Sequence, residues 1–287
     1  MGSKPNHRKT SFRLLFFLTT FLFVITVNTY SQSYFKGRII SDDDEKPVQF
    51  ASVGIKGKKA GGLSDTSGHF SFLMPSFVKG ADTIIISSIG FESIRTIVSS
   101  VLGQSEFRLK RQIKTLPDIT IISFLNSLSF ASSYQTPTIF VAWYEYKTGG
   151  ELGCILHLPY EKYKFEKISF LVDNKCDTCR IRLHIRNLIN DKPGDELLKE
   201  NIILPVVSKT VIDDPSVFDL SNYDVVLSNH DIYIGFEVLQ CSCKSEKNYS
   251  ISFGGTEYGE FEYKSFADSP WERRTYNGLY MKIALKY

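Results

Sequence analysis

The chain reads as an all-β protein of two β-sandwich domains, the second jelly-roll-like, behind an N-terminal signal peptide. Three observations predict this. Short apolar runs alternate with turn clusters about every ten residues from Ser33 to Ile122, the spacing of antiparallel strands. Many of those runs alternate with period two, as half-buried strands do. No amphipathic helical stretch exceeds two turns after the first thirty residues. At 287 residues, with 43% apolar and 14% aromatic side chains, there is material for two cores.

Residues 1–31 are expected to be a signal peptide. Lys4, Arg8, Lys9 and Arg13 make a basic start, and Leu14 to Val27 give 14 apolar-rich residues. Thr29-Tyr30-Ser31 offers a small-residue cleavage site before Gln32. A membrane span wants about 20 apolar residues, so no transmembrane segment is expected in the mature chain. Removing the leader takes the net charge from +3 to −1. A near-neutral chain has no basic face to neutralise phosphates, which argues against nucleic acid.

The first domain is expected over residues 32–122. Its centre is Gly61 to Phe72, a strand, a tight turn and a second strand. Asp65 and Ser67 fold short side chains onto the backbone there, and Gly68 takes the positive φ that closes the turn. Phe70 and Phe72 then share one strand face, with His69 and Ser71 on the other. Asp42-Asp43-Asp44-Glu45 reads as a solvated hairpin turn, since a linear acidic run rarely converges six to eight oxygens on calcium. Ser99 to Arg111 reads as a short connection or an edge strand, with Phe107 and Leu109 alternating with Arg108 and Lys110. Leu116 to Ile122 is expected to close the sandwich.

These elements resemble a known family. Gly37-Arg38-Ile39-Ile40, Pro47, Phe50-Ala51-Ser52-Val53, Ser64 to Phe70, Ile86-Ser87-Ser88-Ile89-Gly90-Phe91 and Leu116 to Ile121 follow one another in its order. The stretch is similar to the carboxypeptidase-regulatory-like β-sandwich that precedes the plug of many TonB-dependent outer-membrane receptors of Bacteroidetes type. The resemblance implies a transthyretin-like (prealbumin-like) fold and an accessory domain without catalytic machinery. The 165 residues after Ile122 lack the long series of alternating strands that a membrane barrel needs, so no transporter is expected.

Residues 123–136 are Ser-rich and read as a linker, leaving 137–287 for the second sandwich. About eight strands are expected there, among them Lys164 to Val172, Arg180 to Leu188 and Asp231 to Leu239. The run from Arg180 through the turn Asn190–Gly194 to Glu237 is similar to sandwich domains of exported Bacteroidetes proteins, and that resemblance implies no activity.

Five cysteines carry the clearest chemistry. Cys176 and Cys179 sit in one candidate loop and Cys241 and Cys243 in another, and Cys154 lies in an apolar strand. In an oxidising compartment the first four are candidates for disulfides, between the loops or within Cys176-x-x-Cys179. Four thiolates would also suit tetrahedral zinc, and free thiols are the third alternative. The odd count leaves Cys154 as a buried thiol.

Arg180, Arg182, His184 and Arg186 recur with period two on one strand face. They are candidate contacts for an anionic ligand, or else a solvated outer face paired with carboxylates such as Glu237. Trp271, within an aromatic tail region, is a candidate stacking platform for a sugar ring. No two-His zinc motif with an adjacent Glu and no Gly-x-Ser-x-Gly elbow occurs, so no metal, cofactor or catalytic residue is assigned. Glu257, Glu260 and Glu262 are the weak candidates for paired carboxylates.

The reading is an exported, non-catalytic binding or assembly module of the bacterial cell envelope, in the periplasm or at the outer-membrane surface, whose partner is a glycan or another envelope protein. The alternative is a surface hydrolase acting on glycan or peptide. Convergent carboxylates in a pocket of the second domain would favour the alternative.

Overall fold

In the computed structural model the described residues are 33–112, 124, 126–143, 148–208, 214–243 and 251–287. The signal-peptide region and the strand expected at Leu116 to Ile122 lie outside them. The first half contains β1 (Tyr34–Ser41), β2 (Ser52–Ile55), β3 (Gly61–Leu63), β4 (His69–Leu73), β5 (Thr83–Ser87), β6 (Ile94–Ile97), the one-turn helix α1 (Val98–Val101) and β7 (Glu106–Leu109). They form a three-stranded sheet, β4-β1-β7, and a four-stranded sheet, β3-β2-β5-β6. β1 runs antiparallel to β4 and parallel to β7.

Alternation dictates which side chains fill the space between these sheets. Phe70 and Phe72 of β4 and Phe107 of β7 point inward with Phe35 of β1, their ring centroids 5.4–6.0 Å apart around Phe35. Val53, Ile55, Ile84 and Ile86 complete this core from the other sheet. The turn before β4 has the predicted chemistry. Asp65 Oδ1 accepts from the backbone N–H of Ser67 (2.8 Å) and of His69 (2.9 Å), and Gly68 has φ +80°. A Cβ at Gly68 would also lie 2.4 Å from the Ile39 carbonyl oxygen.

The second half contains β8 (Ser127–Ala131), β9 (Ile139–Trp143), β10 (Glu151–His157), β11 (Tyr163–Phe170), β12 (Val172–Asn174), β13 (Thr178–Ile189), β14 (Lys192–Glu196), β15 (Ile203–Val207), β16 (Ser216–Asp219) and β17 (Val226–Leu227). It continues with β18 (Asp231–Ser242), β19 (Ile251–Thr256), β20 (Phe261–Lys264), β21 (Glu272–Arg274), β22 (Gly278–Leu279) and β23 (Met281–Lys286). A curled seven-stranded sheet runs β14-β13-β18-β10-β20-β21, with β15 also on β13. Against it stand a five-stranded sheet, β16-β11-β23-β8 with β17, and a four-stranded sheet, β12-β19-β22 with β9. Phe170, Phe218, Phe236 and Phe253 stack between the layers.

Two sequence expectations change here. Ser127–Ala131, within the stretch read as a linker, is a strand paired antiparallel with β23. Its serines cost it the usual hydrophobic signature, and the pairing comes from more than 140 residues away. The turn expected over Asn190–Gly194 is tighter. Asn190 and Asp191, with φ of 52° and 57°, form a two-residue hairpin loop, and β14 already begins at Lys192. Far more short strands are present than the eight expected, since pieces such as β17 and β22 are two residues long. The all-β class and paired sheets stand as expected. Residues 34–287 form one compact unit, so the two sandwiches share a seam.

Candidate functional site at the seam

The site grows from β13 and its neighbour β18. In β13, Ile181, Leu183 and Ile185 face the core of the second sandwich, and Arg182, His184 and Arg186 face the other way. The antiparallel register sets Arg182 opposite Glu237, His184 opposite Gly235 and Arg186 opposite Tyr233. A bulge between Arg180 and Ile181 interrupts the row. Arg180 is exposed, with its guanidinium 5.8 Å from the Phe50 ring centroid.

A solvated outer face was one expectation for this row, and the structure overturns it. Arg182 is 2% exposed and His184 4%, because the first sandwich covers them. Arg182 Nη2 donates to the Phe50 carbonyl oxygen at 2.5 Å. Phe50 holds a left-handed backbone with φ 52°, and its carbonyl oxygen meets β13 rather than a partner within the first sandwich. The cover comes from residues 132 positions distant, which no local pattern in β13 could announce.

Covered charges must be paired. Arg182 Nη1 lies 3.1 Å from Glu237 Oε2, and His184 Nε2 lies 2.8 Å from the same oxygen. His184 Nδ1 lies 2.6 Å from Glu196 Oε2, and Glu196 Oε1 accepts from the backbone N–H of Ile185 and Leu198. Arg186 grips Glu151 with two bonds of 2.9 Å, and Lys264 Nζ adds a third at 3.0 Å. Lys264 Nζ also sits 4.4 Å from the Trp271 ring centroid. Trp271 packs edge-on against Tyr233, whose ring covers the cross-strand pair Gly153 and Gly235. A Cβ at Gly235 would fall 2.2 Å from the Tyr233 hydroxyl, so only glycine lets that ring lie there.

The charge states follow from this packing. Burial pushes the Glu151 carboxyl up, but Arg186, His184 and Lys264 together overcome that and hold it well below the ordinary range. Glu196 and Glu237 are likewise raised by burial and brought lower on balance, Glu196 by Arg186 and His184, Glu237 by Arg182 and His184. For His184, burial disfavours the charged ring, and the Glu151 and Glu196 carboxylates outweigh it, so its pKa is raised. Both ring nitrogens then donate to carboxylates. Burial raises Asp268 and lowers Lys264.

These directions predict a pH profile. His184, raised above its unfolded value near 6.5, contributes stability that is full below that pH and lost as pH rises through its folded pKa. Glu151, Glu196 and Glu237, lowered from 4.5, contribute stability that is full above 4.5 and lost as pH falls through their folded pKa values. Asp268 adds a loss as pH rises from 3.8, and the penalty on Lys264 is relieved only in the alkaline range towards 10.5. The urea midpoint of the chain is expected to be highest between about pH 4.5 and 6.5 and to fall towards pH 8. His184→Gln is expected to flatten the fall above pH 6.5; an equally steep fall in that variant would remove His184 as its source.

Between the two sandwiches this cluster forms one wall of a cleft of about 530 Å³. The facing wall comes from the first sandwich and includes Ser52, Ser87, Ser88, Ser93 and Arg95. Four buried polar atoms on cleft-lining residues have no hydrogen-bond partner: Ser88 Oγ, Arg182 Nε, Glu237 Oε1 and Asp268 Oδ2. The cleft thus gathers three residues of the predicted row and Trp271, and leaves Arg180 out. Sequence reasoning anticipated Glu237 but missed Glu151, Glu196, Lys264 and Asp268. Each is a single charged residue in an ordinary polar context, and only the folded sheet brings them together. Of the weak carboxylate candidates, Glu262 is buried in an ion pair with Arg273, and Glu260 lies 3.9 Å from the same arginine.

The cysteines settle at one end of the β13–β18 ladder. Cys179 and Cys241 are direct register partners and are joined by a disulfide, and Cys176 is joined to Cys243. The sulfurs of Cys176, Cys179 and Cys241 do converge as zinc ligands would, but all are committed to these bridges. Cys154 is unpaired and buried, and burial pushes its thiol up to about 12.

No curated protein matches the chain. Two solved structures similar to it are infectious bursal virus derived T=1 particles (8% identity, TM-score 0.28, 82% of this chain and 58% of that one) and the infectious bursal disease virus Gx strain (6%, 0.26, 91% and 61%). The chain therefore spans less than two thirds of either, and at such scores the likeness carries no argument. In the first half, residues 35–121 match the CarboxypepD_reg-like domain, a non-catalytic module.

Proposed function

We propose that this protein is an exported, non-catalytic binding module of the bacterial envelope that takes its ligand, a glycan or a segment of another envelope protein, in the cleft between the two sandwiches. The observation that carries the reading is the cleft itself. Its buried walls hold fixed ion pairs and still keep unpartnered polar atoms on lining residues. Two disulfides and a CarboxypepD_reg-like domain favour an extracytoplasmic address in an oxidising compartment. Among the described residues no helix is long and apolar enough to cross a membrane.

The hydrolase reading draws on one observation, the convergence of Glu151, Glu196 and Glu237 with Asp268 in the cleft. Glycoside cleavage needs a carboxylic acid poised to donate beside an ionised partner. Asp268 alone has a raised pKa, and its Oδ2 is pressed against Gly54 of β2, where an added Cβ would lie 2.7 Å away. The remaining three are held ionised by cations, the state that binds rather than donates. Binding is the better account.

The test is to incubate the mature chain with a soluble envelope extract and follow amide exchange and product formation together. Slowed exchange at Gly90–Ser93 and Gly194–Leu198, lost in Trp271→Ala, with no new small-molecule product, is the expected result. Release of cleaved glycan or peptide, or protection confined to surfaces away from the cleft, would overturn it.

A further inference from the structure

We infer that the ligand of the seam cleft is a neutral, hydroxyl-rich saccharide, a deepening that rests on the cleft being the binding site. Glu151, Glu196 and Glu237 are met by Arg186, His184, Lys264 and Arg182, each within hydrogen-bond distance of a counter-charge. The rest of the lining again mixes signs, with Arg95, Glu92 and Asp195 among it. A charged ligand reaching the inner wall would shed its water and find the opposite charges there already engaged. That desolvation would go unrepaid.

The unpartnered atoms describe the complement more closely. Arg182 Nε is a donor, Glu237 Oε1 is an acceptor, and Ser88 Oγ is both. All three residues are more than nine-tenths buried. Ser52, Ser87 and Ser93 add further hydroxyls on the opposite wall. A sugar hydroxyl donates one hydrogen bond and accepts two, so a ring carrying several can serve donors and acceptors interleaved in this way. An aliphatic ligand would leave these groups orphaned, and an anion could accept from Arg182 Nε and Ser88 Oγ but would set a like charge against Glu237 Oε1.

Size and the aromatic group agree. A cleft of about 530 Å³ is in the range that encloses a ligand of several rings. Trp271 is half-buried in the lining, with Lys264 over its ring, and offers apolar surface to the C–H face of a pyranose.

Isothermal titration of the mature chain tests this with four probes: neutral gluco- and manno-oligosaccharides, oligogalacturonate as an anionic sugar, and a lysine-rich peptide. At least one neutral oligosaccharide is expected to bind, and Ser88→Ala and Trp271→Leu are each expected to weaken it about tenfold. Ser88→Ala removes a hydroxyl that bonds nothing within the protein, so the variant keeps its fold, which a matching urea midpoint checks. Tighter binding of oligogalacturonate or the peptide, lost in the same variants, would overturn the neutral-sugar assignment and leave the cleft as a binding site. Binding of any probe with full affinity in both variants, or binding of none of the four, would overturn the inference; in the latter case protection by envelope extract still judges the cleft separately.

Discussion

Replacing Arg182 with Met is expected to cost about 3–5 kcal/mol of folding stability, a large part of what a domain has. Arg182 is 2% exposed and joins three things at once: the Glu237 carboxylate, the Phe50 carbonyl, and through Glu237 the His184 ring. Methionine fills most of the space but leaves Glu237 buried beside one fewer cation and the Phe50 carbonyl without its donor. The cost is therefore that of the groups left behind, more than that of the guanidinium itself. Adding Glu237→Gln should recover more than half of the loss, because the stranded charge goes and the amide can still bond His184. Urea unfolding followed by far-ultraviolet circular dichroism measures both. Arg182→Met should also split one cooperative transition into two, as the sandwiches lose their tie. A loss below about 1 kcal/mol, or a double variant no better than the single, would show that the seam is held elsewhere.

Removing both disulfides is expected to cost roughly 6 kcal/mol, and removing either one only about 2. The bridges are nested: Cys176–Cys243 spans 67 positions and Cys179–Cys241 spans 62 within it. The first bridge to close, whichever it is, removes the entropy of a loop of that size, about 4 kcal/mol on the chain-entropy account. The second then closes a ring of a few residues and adds about 2 kcal/mol. The expected losses are thus far from additive. Cys179→Ala with Cys241→Ala, Cys176→Ala with Cys243→Ala, and the fourfold variant give the three urea midpoints needed. A single-bridge variant as weak as the fourfold one would mean that native strain or packing, not chain entropy, sets the contribution.

The sequence made the class legible because strands advertise themselves locally. Phe70 and Phe72, Ile168 and Phe170, Ile181 and Leu183 all carry their burial in their spacing. The turn at Asp65 to Gly68 was legible for the same reason, since its bonds lie within four residues. The Ser127–Ala131 strand was not, because its identity depends on β23. Within the site, the row Arg182, His184 and Arg186 and the partner Glu237 stood out by period and register. What could not be read was the side the row would face. That depended on whether a second sandwich lay over it, and on a single carbonyl at Phe50, whose backbone is left-handed. Glu151, Glu196 and Lys264 come from β10, β14 and β20, and only the order of strands in the curled sheet makes them neighbours.

The left-handed residue at Phe50 also bears on how such a chain can be recombined. An accessory sandwich is usually treated as a bead that can be traded between strings. Here the bead offers an outward oxygen and the string offers the cation that meets it, so a graft carrying one without the other would close over an empty handshake. Exchange between relatives should succeed only where residue 50 and residue 182 travel as a pair.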